Sequence, residues 1–279
     1  MLECMVDDSP SESVRRVCIS VAEDMPAWRR NLVEDLTEKV GALRVASAHD
    51  VSARDGDILI AATDTRLEVR VIHGDARLIS GHGVSSEPDR LDTKSGPGRS
   101  LKQPLLKAVG IRKGDPYRPS ILDTTAGLGE DAWLLASVGC RVLACERHPI
   151  IYALLADALT RARDRSPEVA ERITLRCCDS RDQLKTLAQV LDTDRPEVIT
   201  IDPMFPSGRK TAERKALAVL RLLAGDDPDA DILLNAACKV ALKRVVVKRP
   251  SKAEPLAGMP PAVSHPGRGF RFDVYPTSR

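Results

Sequence analysis

The chain has 279 residues, 43% hydrophobic and 29% charged, with 42 Lys+Arg against 40 Asp+Glu. That balance fits one large or two smaller globular domains and excludes wholesale disorder. Apolar runs such as Ile58–Ala62 fall far short of the ~18 residues a membrane helix needs, and the acidic start (Glu3, Asp7, Asp8) lacks a leader pattern. The seven cysteines, at 4, 18, 140, 145, 177, 178 and 238, show no CxxC spacing and suggest neither a disulfide framework nor a zinc site. The expectation is a soluble, reduced, cytoplasmic protein with no membrane segment and no metal.

Charge is uneven along the chain. Residues 1–60 carry 12 acidic and 7 basic side chains, whereas residues 207–252 carry 11 basic and 5 acidic ones. Overall neutrality argues against indiscriminate nucleic-acid binding but permits one basic face. With only 8 aromatic residues, stacking platforms for single strands are largely excluded.

In chain order, residues 1–13 read as a polar, frayed terminus. A strand is predicted over 17–22, then a helix over 28–41 from the spacing of Leu32, Val33, Leu36 and Val40, with Gly41 as its stop. Strands follow over 57–61 and 65–72, making a small α+β unit. Residues 81–100, rich in Gly, Ser, Pro and charge, mark the boundary, so we expect an N-terminal domain over 1–98 and a second domain over 99–279. From there strands and helices alternate: helix 101–109, strand 120–124, helix 131–138, strand 141–146, helix 149–163, strand 172–177, helix 181–191, strand 197–202, helices near 210–224 and 230–242, and strands 244–248 and 270–275. This pattern predicts a parallel, doubly wound α/β sheet that binds ligands beyond the carboxyl ends of its strands.

The chemistry gathers at those ends. Asp123-Thr124-Thr125-Ala126-Gly127-Leu128-Gly129-Glu130-Asp131 follows one strand and opens a helix. Gly127 and Gly129 allow a tight turn and close backbone approach to a ligand, and the helix start offers free N–H groups. Glu146, closing the next strand some 20 residues on, is placed to accept both hydroxyls of a ribose, in NAD and S-adenosylmethionine alike. Asp179-Ser180 ends a third strand, where Asp179 is either an acceptor for an adenine amine or a helix N-cap. At the fourth end, Asp202-Pro203-Met204-Phe205-Pro206 puts a carboxylate, a rigid turn and an aromatic ring beside the crevice. Acceptors on an exocyclic amine, with Phe205 stacked on the base, would orient that poor nucleophile for attack on a methyl group.

These residues carry a resemblance. Asp123 to Ala132, Leu134 to Val142, Glu146-Arg147 with Pro149, Asp202 to Pro206, Lys243 to Pro250 and Arg271 to Tyr275 resemble the RsmJ family of small-subunit (16S) ribosomal RNA guanine-N2 methyltransferases. The likeness covers about 101–279. It implies a class I S-adenosylmethionine-dependent methyltransferase fold, Rossmann-like α/β, behind a small N-terminal α+β domain. It further implies cofactor contacts at Glu130, Asp131, Glu146, Arg147, Asp179, Ser180 and Asp202, beside the turn residues Asp123, Gly127 and Gly129. Catalysis would fall to Asp202, Pro203 and Phe205. Lys94, Arg99, Arg209, Lys210, Lys248 and Arg249 are expected to hold RNA phosphates of the small-subunit RNA or the 30S subunit. Three other readings of the residues are a methyltransferase acting on DNA adenine or a protein amide, an NAD-binding oxidoreductase, and a silent RNA-binding factor.

Overall fold

A computed structural model describes residues 15–49, 51–52, 54–90, 103–204 and 215–277. The alternating half folds as expected around one sheet. Its strands are Ser120–Asp123 (β5), Arg141–Glu146 (β6), Ile173–Cys177 (β7), Val198–Ile201 (β8), Arg244–Pro250 (β9), Val263–Pro266 (β10) and Phe270–Pro276 (β11), in the order β10-β11-β9-β8-β5-β6-β7. Strands β5 to β9 are parallel to their neighbours, but β11 runs antiparallel to β9, and β10 to β11. One edge therefore departs from the wholly parallel expectation. A hairpin needs no crossover helix, and none separates β10 from β11.

The two-residue period of the strands sends alternate side chains into two cores. Ile121, Val142, Val198, Val246 and Phe272 face Pro104–Ala108 (α3), Glu130–Ser137 (α4) and Pro149–Arg163 (α5). Leu122, Cys145, Ile199, Val245 and Val247 face Ser180–Leu187 (α7) and Ala230–Val240 (α9). Helix α5 starts on Pro149, whose missing N–H costs nothing at a first turn, and ends with Arg161 and Arg163 near its negative pole.

The N-terminal unit holds a second sheet of Val17–Val21 (β1), Leu43–Val45 (β2), Ile58–Ala62 (β3) and Leu67–Val71 (β4), in the order β2-β1-β3-β4 with only β3 and β4 antiparallel. Ala27–Val40 (α1) packs on it and ends as predicted at Gly41, left-handed with φ 60°. Short elements that the periodicity did not reveal are β2, β10, Ala76–Ile79 (α2) and Pro167–Ala170 (α6). Three or four residues are too few to display a period. The boundary expected at residue 98 and the terminus 1–13 lie outside the described residues.

Helix α5 belongs to both units. Leu155 and Leu159 enter the large core, while Ile150, Ala153 and Leu154 join Ile19, Val33, Ile60 and Val69, with Val219 of Lys215–Ala224 (α8), in the smaller one. A buried ion pair locks the seam. Arg29 and Asp157 are 1% and 0% exposed, with Arg29 Nε 2.6 Å from Asp157 Oδ1. The same guanidinium donates to the carbonyls of Thr63, Asp64 and Thr65. Asp157 Oδ2 accepts from the Leu67 N–H and from Arg161 Nε. Arg29→Met leaves those three carbonyls without this donor and should cost about 3–5 kcal/mol in urea unfolding, the scale of a broken buried pair. A loss below about 1 kcal/mol would assign the seam to apolar packing alone.

Candidate active site

Four neighbouring strands end in carboxylates. Asp123 closes β5, Glu146 closes β6, Asp179 follows β7 and Asp202 follows β8. The strand order reverses at β5, and a ligand crevice opens at such a switch point in an α/β sheet.

The glycine turn lies over β5. Gly127 and Gly129 have φ of 53° and 82°. At the φ of Gly129 any other residue is strained, and a Cβ there would also stand 2.4 Å from Leu155 Cδ1, which would have to shift where α4 starts against α5. Glu146, 8% exposed, anchors the turn: its carboxylate accepts the Gly127 N–H at 3.0 Å and the His148 N–H at 2.8 Å. Burial pushes its pKa up, and the two N–H groups work against that rise. Each oxygen keeps acceptor capacity for a ligand hydroxyl. Glu130 (exposed) and Asp131 (half-buried) occupy the first turn of α4.

Asp123 is 4% exposed, and its carboxylate accepts one long hydrogen bond, from the Thr125 N–H at 3.3 Å. Burial first, then the charge of Asp131, pushes its pKa up to about 7. Asp179 is the N-cap of α7: it accepts the Arg181 N–H at 2.8 Å and pairs with the Arg181 guanidinium, whose hydrogen bonds hold its pKa below the usual range. The capping alternative is the geometry found. The buried Ser180 hydroxyl donates to the Thr124 carbonyl, stitching α7 to the end of β5.

Asp202 is held from two sides. Its backbone N–H donates to Thr125 Oγ1 at 2.7 Å, and its Oδ2 receives Lys248 Nζ at 2.8 Å. Lys248 also reaches Asp131 Oδ2 at 3.2 Å. Enclosure alone would lower the lysine's pKa, but Asp131 and Asp202 outweigh it and raise it, so Lys248 is charged. This corrects the expectation that Lys248 faces RNA phosphates, because its ammonium is drawn into the crevice by two carboxylates. Arg249 donates through Nε and Nη2 to the Glu254 carbonyl. Lys94, Arg99, Phe205, Arg209 and Lys210 lie outside the described residues.

Sequence reasoning missed three residues that shape this site. Thr125 fixes the Asp202 backbone. Asp227 accepts the Met204 N–H at 2.7 Å, while its own N–H donates to the Met204 carbonyl at 3.1 Å, and its other carboxylate oxygen pairs with Arg147. Asp229 pairs with Arg147 at 3.3 Å and with Arg181 at 2.9 Å. The acidic turn Asp226-Asp227-Pro228-Asp229 was the available signal, though nothing local tells which strand end it serves. Pro203 is buried beside this bracket. Among the described residues no cluster of His, Cys, Asp and Glu could hold a metal, and no helix is long and apolar enough to cross a membrane.

Residues 54–277 match the family model of SAM-dependent methyltransferases. A ribosomal RNA small subunit methyltransferase J from Thioalkalivibrio sulfidiphilus is 44% identical over 219 residues, spanning 72% of this chain and 84% of the relative. One of the same name from Photobacterium profundum is 39% identical over 259 residues, spanning 88% and 93%. A SAM-dependent methyltransferase structure from Neisseria gonorrhoeae superposes with a TM-score of 0.67 at 28% identity, over 93% of this chain and 95% of that one.

The Asp123 carboxyl supplies a pH test. Its folded pKa of about 7 lies above the unfolded value, so its contribution to stability is full below about pH 4 and is lost as pH rises toward 7. The stability difference between wild type and Asp123→Asn should therefore fall across that window, by roughly 4 kcal/mol at most, and stay flat above it. Urea unfolding of both proteins between about pH 4 and 8 checks this. A difference that does not change with pH would contradict a buried, weakly bonded carboxyl.

Proposed function

The chain belongs to the ribosomal RNA small subunit methyltransferase J family, and on that premise we propose that it methylates the exocyclic N2 amine of a guanine in small-subunit (16S) ribosomal RNA, with S-adenosylmethionine as donor. The observation that carries the reading is Asp202 itself, whose backbone N–H is held by Thr125 of the glycine turn and whose carboxylate is held by Lys248.

The residues fit this cofactor. S-adenosylmethionine, when bound, supplies a methyl group on a positively charged sulfonium, together with a ribose whose two hydroxyls need acceptors. Glu146 would hold those hydroxyls, while the backbone at Gly127 and Gly129 leaves room for close approach. Asp123 and Asp131 add negative charge suited to a cationic ligand, and Asp123 is a buried carboxylate with a single long hydrogen bond to its name. Arg147, Asp179 and Ser180 would close the adenine end.

Asp202 has a different task. An exocyclic amine attacks poorly because its lone pair is delocalised into the ring. A carboxylate accepting one of its hydrogens orients it, and the interaction strengthens as the nitrogen gains positive charge in the transition state. Methyl transfer from the bound sulfonium to that nitrogen would leave the amine one proton to lose, which solvent water would accept. Pro203 stiffens the turn after Asp202, and Phe205 would stack on the entering base, an interaction worth about 1–3 kcal/mol. Lys94, Arg99, Arg209, Lys210 and Arg249 are assigned to RNA phosphates, whether in free RNA or in the 30S subunit.

The test uses small-subunit ribosomal RNA from a strain lacking this protein, labelled methyl donor, and mass mapping of the product. Wild type should methylate one guanine at N2. Asp202→Ala should lose about 100-fold or more in single-turnover rate at saturating cofactor, the scale of removing an oriented electrostatic group. A near wild-type rate in that variant would place the catalytic centre elsewhere.

A further inference from the structure

Lys248 is the first half-buried position of β9 after its buried run. Val245, Val246 and Val247 before it are buried, and Val247 pairs with Ile201 at the end of β8. The next side chain along therefore meets the first residue beyond β8, which is Asp202. Its four methylenes carry the ammonium on to Asp131 in the first turn of α4, so one nitrogen joins the strand end to the glycine turn. Phe270 and Phe272 of β11 stand behind it, with ring centroids 5.6 and 6.0 Å from Nζ. Their π-faces favour a cation and keep water from that side.

An ordinary structural ion pair does not explain this arrangement. The side chains of Asp131 and Asp202 are 34% and 43% exposed, at the mouth of the crevice, where an ion pair adds little to stability. The nearer effect of the ammonium is electrostatic: at 2.8 Å from Asp202 Oδ2 it favours the ionised carboxylate. The ionisable groups around that carboxylate are Lys248 from β9, Asp131 from α4, Asp123 from β5, and Asp227 from the segment before α9. Three of the four are acidic. Burial first, then the like charges of Asp131 and Asp227, push the pKa of Asp202 up, and Lys248 is the group that opposes the rise. Without the lysine the protonated form gains further, and a protonated carboxyl presents a hydrogen to the amine instead of an acceptor.

We propose that Lys248 is a positioning residue for methyl transfer: it keeps Asp202 ionised and aimed as a hydrogen-bond acceptor, and it ties that aim to the cofactor turn through Asp131. The inference rests on Asp202 receiving the amine, as proposed above. It also removes Lys248 from the set of phosphate ligands, since two of its three N–H bonds are committed to carboxylates.

The experiment is the pH profile of single-turnover methylation of small-subunit ribosomal RNA over about pH 5 to 9 at saturating S-adenosylmethionine. It is accompanied by calorimetric cofactor affinity and melting temperature for each variant. In Lys248→Met the acidic limb should move up by about one pH unit or more. Lys248→Arg, which keeps the charge, should stay close to wild type. Asp131→Asn removes a like charge and should not move the limb up but down. Opposite shifts from two neighbours of one carboxylate are not the signature of a general loss of structure. A Lys248→Met protein slowed by one factor at every pH, or not slowed at all, overturns the proposal. Should that variant not fold, Asp131→Asn decides alone: a limb that stays put or rises also overturns it. Asp202→Ala separates the two failures. If it methylates at the wild-type rate, the reading of Asp202 falls; if it is slow while Lys248→Met shows no shift, only the role of Lys248 falls.

Discussion

Four parallel strands deliver four carboxylates to one rim, and a rim of like charges must be stabilised before anything can bind there. Each strand end meets this constraint differently. Glu146 accepts two backbone N–H groups, which oppose the effect of its burial, and in taking them it shapes the glycine turn. Asp179 is absorbed into a helix cap and an arginine pair. Asp202 shares an ammonium with Asp131. Asp123 has almost nothing, so its pKa rises instead. The one left least compensated sits deepest, where a cationic ligand would do most for it.

The constraint also organises the surroundings of the site. Arg147 leaves the end of β6 to meet Asp227 and Asp229, and Asp227 in turn grips both backbone groups of Met204. The turn after Asp202 is thus fastened to the neighbouring strand end through one aspartate. Thr125 and Thr124 do the same from below: Thr125 accepts the Asp202 N–H, and the Thr124 hydroxyl donates to the Thr200 carbonyl. The glycine turn, the second strand end and the Asp202 turn are therefore joined by hydrogen bonds and ion pairs into one framework. Behind them, α5 carries the site's rear wall and, through Asp157, the N-terminal sheet.

How much of this was legible in the sequence follows from how local each interaction is. Glu146 and the glycines announce themselves, because a strand, a turn and a helix start must follow in immediate succession. The bounds of β6 and α5 coincide with those read from their apolar pattern. Asp227 was invisible, since its partner Met204 lies 23 residues earlier and no period links them. Lys248 was visible but misplaced. A lysine closing an apolar strand reads as a side chain reaching for solvent, and only the β8–β9 register shows that a carboxylate stands within its reach. The antiparallel edge was hidden for a similar reason: a two-residue period gives the faces of a strand, not its direction.

The central claim is that the acidic rim is matched to a cationic methyl donor, with Asp123 as its least compensated member. The most direct measurement is proton release on binding, from calorimetry in buffers of different ionisation enthalpy at about pH 6.5, where much of Asp123 is protonated. S-adenosylmethionine and S-adenosylhomocysteine share every titrating group and differ in the sulfonium charge. S-adenosylmethionine should release more protons than S-adenosylhomocysteine, with the difference abolished in Asp123→Asn. Equal release by the two ligands would contradict it.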